Sequence, residues 1–188
     1  NKCFFPKKRL EKLSYLDGEP HIAHIGATNF ATGMVIDNVS DFLIKISNNK
    51  INIHLNANVT PPELIKANCN YLHYFEKFTT DSEKSSFSEF LTQFDAIVIL
   101  YNVQKVYKRF EFSLPTRFLF ALVTGIPIVI PERLFPACEK YIMKHEIGFA
   151  YKDEEELYLK LKNKLIMNKL SNNAILHSLT LDFETNSE

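Results

Sequence analysis

Ser113, Pro115, Thr116, Arg117, Gly125 and Pro127 fall in one short stretch, and their order describes a site for negative charge. Pro115 suits the first position of a helix, where its missing N–H costs nothing, and Gly125 suits the left-handed residue after the last turn. Between them apolar residues recur at helical spacing, and the run Ile126-Pro127-Ile128-Val129-Ile130 then reads as a buried strand. A helix that begins just after a sheet strand aims its unpaired first-turn N–H groups at the sheet's carboxyl edge. Such an end suits a phosphate or diphosphate.

Other chemistries lack their residues. Gly26 to Gly33 contains no G-x-G-x-x-G, which disfavours a dehydrogenase. No G-x-x-x-x-G-K-[ST] occurs, which removes a P-loop nucleotidase, and no G-x-S-x-G marks a nucleophile elbow. His24-Ile25-Gly26-Ala27 closes the first strand without the acidic cluster that a receiver domain needs. Cys3, Cys69 and Cys138 are odd in number and scattered, with no C-x-x-C. Free thiols, no metal site and a reducing, cytoplasmic compartment are expected from them.

Lys+Arg and Asp+Glu stand at 22 each, so no net field favours nucleic acid. Hydrophobic residues at 46% suit an ordinary folded domain, and the longest apolar runs are too short to span a bilayer. The sixteen Phe and eight Tyr, with no Trp, read as compositional bias, not a site. Tyr101, Asn102, Lys105, Lys108 and Arg109 form a basic, aromatic loop, read either as solvated or as contacting a ligand. His24 and His54 read as packed strand residues, Glu132 and Glu139 as surface, and Lys7, Lys8 and Arg9 as a solvated face.

The elements that must position these residues alternate. Strands are expected at His21–Gly26, Ile51–Leu55, Tyr71–Phe75, Ala96–Leu100, Ile126–Ile130 and Gly148–Tyr151. Helices are expected from Val35 to Ile46, from Pro61 to Ala67, after a capping box at Ser86-Phe87-Ser88-Glu89, at Pro115, from Phe135 to His145, and from Asp153 to about Met167. This order predicts an α/β fold: a Rossmann-like, doubly wound parallel sheet with helices on both faces. Residues 21–168 make the domain, 1–20 a lead-in or linker, and 169–188 a low-order tail. Ligands of such sheets bind beyond the strands' carboxyl ends at the topological switch point.

The stretch from Ser113 to Val129 resembles the donor-domain signature of GT-B-type glycosyltransferases, roughly S-x-P-x-K-x-x-E-Y-L-A-x-G-x-P-V, within a similarity running from about His21 to Lys162. The resemblance implies a single GT-B half-domain, the C-terminal donor side of an enzyme of the kind that serves polysaccharide biosynthesis. Its substrate would be a nucleotide diphosphate sugar, with no separate cofactor, and the sugar would pass to an acceptor. The implied donor-binding residues are Gly26, Thr28, Asn29, Arg109, Ser113, Pro115, Thr116 and Arg117, the last standing where the family has Lys. The implied partners are an N-terminal acceptor domain or partner protein that this chain, starting at Asn1, does not contain, and peripherally a membrane.

Two departures bear on catalysis. Many relatives carry two glutamates spaced as Phe112 and Phe120 are here, one near the sugar and one on the ribose. Losing a ribose-gripping carboxylate removes a charged hydrogen bond of ~1.5–3 kcal/mol. Ala27 to Gly33 also lacks the basic residues that often neutralise the diphosphate. No catalytic residue is therefore assigned, and the alternative is a degenerate, non-catalytic binding or scaffolding module.

Overall fold

The computed structural model describes residues 5–26, 38–56, 64, 69–75, 84–103 and 108–181. Six strands, β1 (His21–His24), β2 (Asn52–Asn56), β3 (Leu72–Phe75), β4 (Ala96–Val98), β5 (Ile128–Pro131) and β6 (Gly148–Tyr151), form one sheet. All pairings are parallel and the order is β3-β2-β1-β4-β5-β6. The Rossmann-like sheet expected from the alternation is present.

Strand periodicity sorts each apolar run onto two faces. Ala96, Val98 and Leu100 join one buried cluster, while Ile97, Ile99 and Tyr101 join the other. Burial on both faces is why this run is continuously apolar instead of alternating. Helices α2 (Ser40–Asn48) and α6 (Glu154–Lys162) cover the first face through Leu43, Ile46, Leu157 and Leu161. Helices α3 (Lys84–Leu91), α4 (Thr116–Thr124) and α5 (Pro136–His145) cover the second through Leu91, Phe118, Ala121, Cys138 and Ile142. Ser86 lies inside α3, so it does not cap that helix. Most of the helix expected over Pro61–Ala67, and Val35 to Asp37, fall outside the described residues; Leu64 is helical and buried.

Both chain ends depart from the sequence reading. The helix from Asp153 stops at Lys162 and a second, α7 (Lys164–Thr180), follows without an irregular tail up to Thr180. Asp153 caps α6 by accepting from the Glu156 N–H at 2.8 Å, and extended Asn163 caps α7 by accepting from the Ile166 N–H at 3.2 Å. Met167, Leu170, Ala174 and Ser178 form the buried stripe of α7, which packs on α4 and α6. The polar residues between them hid this stripe, and burial of one face makes the helix stable.

In the lead-in, α1 (Ser14–Asp17) ends at left-handed Gly18, and Arg9, although exposed, reaches partners far along the chain. Its guanidinium donates to the carbonyls of Thr124 at 3.0 Å and Gly125 at 2.7 Å, satisfying the end of α4. Asp95, just before β4, accepts from Ser14 Oγ at 2.7 Å and from the His21 N–H at 2.8 Å.

Cys69 and Cys138 are free thiols, and burial pushes Cys138 up to about 12; Cys3 lies outside the described residues. Among the described residues no helix is long and apolar enough to cross a membrane, and no cluster of His, Cys, Asp and Glu could hold a metal ion. His24 is fully buried, as expected. His54 is also packed, but inside an unexpected ladder: His21, His54 and His73 stack across β1, β2 and β3. His21 Nδ1 and His54 Nε2 lie 2.9 Å apart, and His21 Nε2 lies 2.9 Å from Asp17 Oδ2.

Two predictions arise here. A Cβ on Gly148 would stand 1.9 Å from the Ile128 carbonyl oxygen, so β6 pairs with β5 only through glycine. Gly148→Ala is expected to cost about 3 kcal/mol or more in urea unfolding. Burial first, then the neighbouring His73 and His21, lowers His54 to about 3, and burial lowers His73 too. Folded His54 stays neutral through mild acid and folded His73 resists protonation, whereas the unfolded chain takes up protons below pH ~6.5. Stability is therefore full above that pH and falls as pH drops, by up to ~1.4 kcal/mol per pH unit for each proton withheld. Thermal melts at pH 8, 6.5 and 5 should show the decline; a flat profile would contradict it.

Candidate functional site

The chain runs outward from β1 to β2 and β3, then returns to place β4 on the other side of β1. A crevice therefore opens above the carboxyl ends of β1 and β4, the switch point of the sheet. Gly26 lies just past β1, and Leu100 and Tyr101 just past β4.

Arg117 bridges these two ends. Its Nη1 donates to the Leu100 carbonyl at 2.9 Å, and its guanidinium carbon lies 4.3 Å from the centroid of the Tyr101 ring. Gly26 has φ 110°, and a Cβ there would stand 3.1 Å from Arg117 Nη2. Glycine both permits the backbone turn and leaves room for the guanidinium. The result is a half-buried, permanently charged group at the switch point.

Arg117 arrives there because α4 begins at this edge. Pro115 is the residue before the helix, not its first residue, with φ −68° and ψ 154°. Its carbonyl accepts from the N–H groups of Phe118 at 2.9 Å and Leu119 at 3.2 Å, so proline's fixed φ serves the extended cap position. Gly125 is left-handed at φ 63°, as the sequence required, and Phe118, Ala121 and Leu122 bury the sheet-facing side.

An aromatic wedge supports the arginine from below. Tyr101 packs on Phe110 at 4.9 Å and Phe135 at 5.9 Å between ring centroids, and these two rings pack on each other at 5.1 Å. Phe110 sits in a 3-10 turn, Lys108–Glu111, whose Arg109 lies 5.1 Å over the Phe110 ring. Ser113 Oγ donates to the Arg109 carbonyl and closes this loop. Stacked groups thus link Arg109 to Arg117 through Phe110 and Tyr101.

The structure brings Gly26, Pro115 and Arg117 together. Arg109, Ser113 and Thr116 are exposed on the same edge, while Thr28 and Asn29 lie outside the described residues. Phe112 is 86% exposed, whereas Phe120 packs against Phe87 at 5.7 Å. Glu139 accepts from the Arg133 N–H at 3.1 Å and Glu132 faces Arg133 at 3.5 Å, a surface arrangement as expected. The sequence reading missed the Phe110–Phe135 wedge and the Leu100 carbonyl. The aromatic bias was the available signal, and it was assigned to composition.

The architecture is similar in fold to half-domains of GT-B glycosyltransferases. The C-terminal domain of a group 1 family glycosyltransferase from Francisella tularensis is similar over 97% of this chain and 96% of its own, with 14% identity and a TM-score of 0.56. Sucrose-phosphate synthase from Thermosynechococcus elongatus is similar over 96% of this chain and 46% of its own, at 11% identity and a TM-score of 0.57. TarM from S. aureus, whose structure holds UDP, is similar over 90% of this chain and 32% of its own, at 12% identity and a TM-score of 0.54. The chain thus spans about half of the synthase and about a third of TarM. At these identities the likeness is one of fold. No protein-family model and no curated protein matches the sequence.

If Gly26 exists to admit the guanidinium, a methyl group there must displace it and strain the backbone. Gly26→Ala is expected to lower stability by about 1–3 kcal/mol in urea unfolding. An unchanged midpoint would separate the glycine from Arg117.

Proposed function

We propose that this chain is the donor-side domain of a glycosyltransferase, binding a nucleotide diphosphate sugar for transfer to an acceptor. The observation that carries the reading is the Arg117 guanidinium, held on the Leu100 carbonyl and Tyr101 ring at the switch point beside the start of α4. A leaving diphosphate develops charge as the sugar departs, and a cation fixed beforehand near a helix start stabilises that charge without reorganising. Gly26, Pro115 and Thr116 would supply backbone approach, and exposed Arg109 a second cation. Thr28, Asn29 and Ser113 complete the proposed donor set. The fold supports this reading through its likeness to glycosyltransferase half-domains, one neighbour of which holds UDP. The remaining wall of the cleft would come from a second domain or partner protein.

Phe112 and Phe120 favour a second reading, a binding module of the same fold that has lost transfer. Phe120 packs on Phe87, and its ring carries no polar group to grip a ribose hydroxyl.

Calorimetric titration with UDP and GDP tests the first step. Arg117→Ala is expected to weaken binding about tenfold, or ~1.4 kcal/mol. Equal affinities would remove Arg117 from the site, and no saturable binding of either nucleotide would overturn the donor-binding reading. Binding with no release of sugar from any nucleotide sugar, even with an acceptor-side partner present, would select the module.

A further inference from the structure

At the opposite, amino edge of the sheet lies a cavity of about 270 Å³, between α1, the residues leading into β1 and β4, and the α6–α7 junction. Lys12, Ser14, Asp95, Lys164, Asn168 and Ser171 are among its lining residues. Its volume exceeds that of several waters at about 30 Å³ each, so a compact polyatomic ion fits.

The acids at this cavity already have donors. Asp95 accepts from Ser14 Oγ and the His21 N–H, and Glu19 accepts from Lys162 Nζ at 3.3 Å. The donors are in surplus. The Lys12 ammonium carries three N–H groups and has one acceptor among the described residues, the Phe94 carbonyl. The side chains of Lys164, Asn168 and Ser171 make no hydrogen bond or ion pair among the described residues. Burial pulls Lys12 down to about 8 although Asp95 acts in the other direction, so the ammonium is poorly compensated where it stands. A desolvated cation with spare donors is costly unless an anion joins it.

We propose that this cavity binds a small oxyanion, a phosphate or carboxylate group, on the Lys12 and Lys164 ammoniums with the Asn168 amide and the Ser171 hydroxyl. Charge-assisted bonds from both lysines would hold the oxygens, and the two neutral donors would orient them. The site is separate from the carboxyl edge, since it lies where the strands begin. It does not depend on the donor-binding reading.

Inorganic phosphate and, separately, acetate can be titrated into the isotope-labelled chain at an ionic strength held constant with sodium chloride, following amide signals by NMR. Saturable shifts at Ser14, Gly18, Asn168 and Ser171 are expected. Lys12→Met should weaken them about tenfold or more, and Lys164→Gln, at an exposed position that leaves the core intact, about threefold. Saturation with both ions assigns the site to oxyanions in general, and saturation with phosphate alone assigns it to phosphate. Shifts that grow linearly, that chloride reproduces, or that Lys164→Gln leaves unchanged would overturn the proposal. So would saturation confined to residues around Tyr101 and Arg117.

Discussion

Helix α4 is clamped at both ends by residues far from it in the chain. At its close, Arg9 donates to the carbonyls of Thr124 and Gly125, while α7 lies so near that a Cβ on Gly125 would stand 2.8 Å from Ser178 Oγ. At its start, Arg117 is tied to the Leu100 carbonyl. The helix therefore can neither slide nor rotate without breaking the bonds to Arg9 or Leu100 and disturbing its packing on α7. Everything at the carboxyl edge inherits that position, because Pro115 and Arg117 are carried on the helix itself. A charge useful for binding must be placed before the ligand arrives, and this clamp places it.

A parallel sheet gives the molecule two chemically distinct edges, since all strands start on one side and end on the other. The carboxyl edge collects arginines and stacked aromatics. The amino edge collects Asp95, Lys12 and the first residue of the histidine ladder, His21, which Asp17 accompanies. Burial lowers the pKa of the ladder's other two imidazoles, His54 and His73, so their charge depends on their surroundings. Arg117 is different in kind: a guanidinium stays charged, and its planar face can rest on Tyr101 while its edge bonds a carbonyl. A lysine at this position would keep the charge and lose the stacking.

The two phenylalanines at Phe112 and Phe120 divide the site. Phe120, partly buried, belongs to the packing between α3 and α4. Phe112 is solvent-facing beside the Arg109 loop, where an aromatic ring offers contact area but no charge. At this edge Arg109 and Arg117 supply positive charge, and neither phenylalanine supplies a carboxylate.

The sequence by itself determined the sheet, its parallel character and the turn chemistry of α4. Continuous apolar runs alternating with helical patterns admit few other arrangements, and Gly125 is left-handed because that position admits little else. It also placed Gly26 and Arg117 at the carboxyl edge, since strand order and handed connections locate loop ends without knowledge of contacts. Only the tertiary structure decided that Gly26 and Arg117 touch, that Phe110 and Phe135 wedge Tyr101, and that Arg9 caps α4. It also turned the expected tail into α7. Each of these depends on residues widely separated in the chain, and local pattern holds no record of a distant partner. Arg9 beside Lys7 and Lys8 looks like any solvated basic cluster until the end of α4 is brought to it. The stripe of Met167, Leu170, Ala174 and Ser178 is too polar to announce a helix, and it becomes one because α4 and α6 are there to bury it.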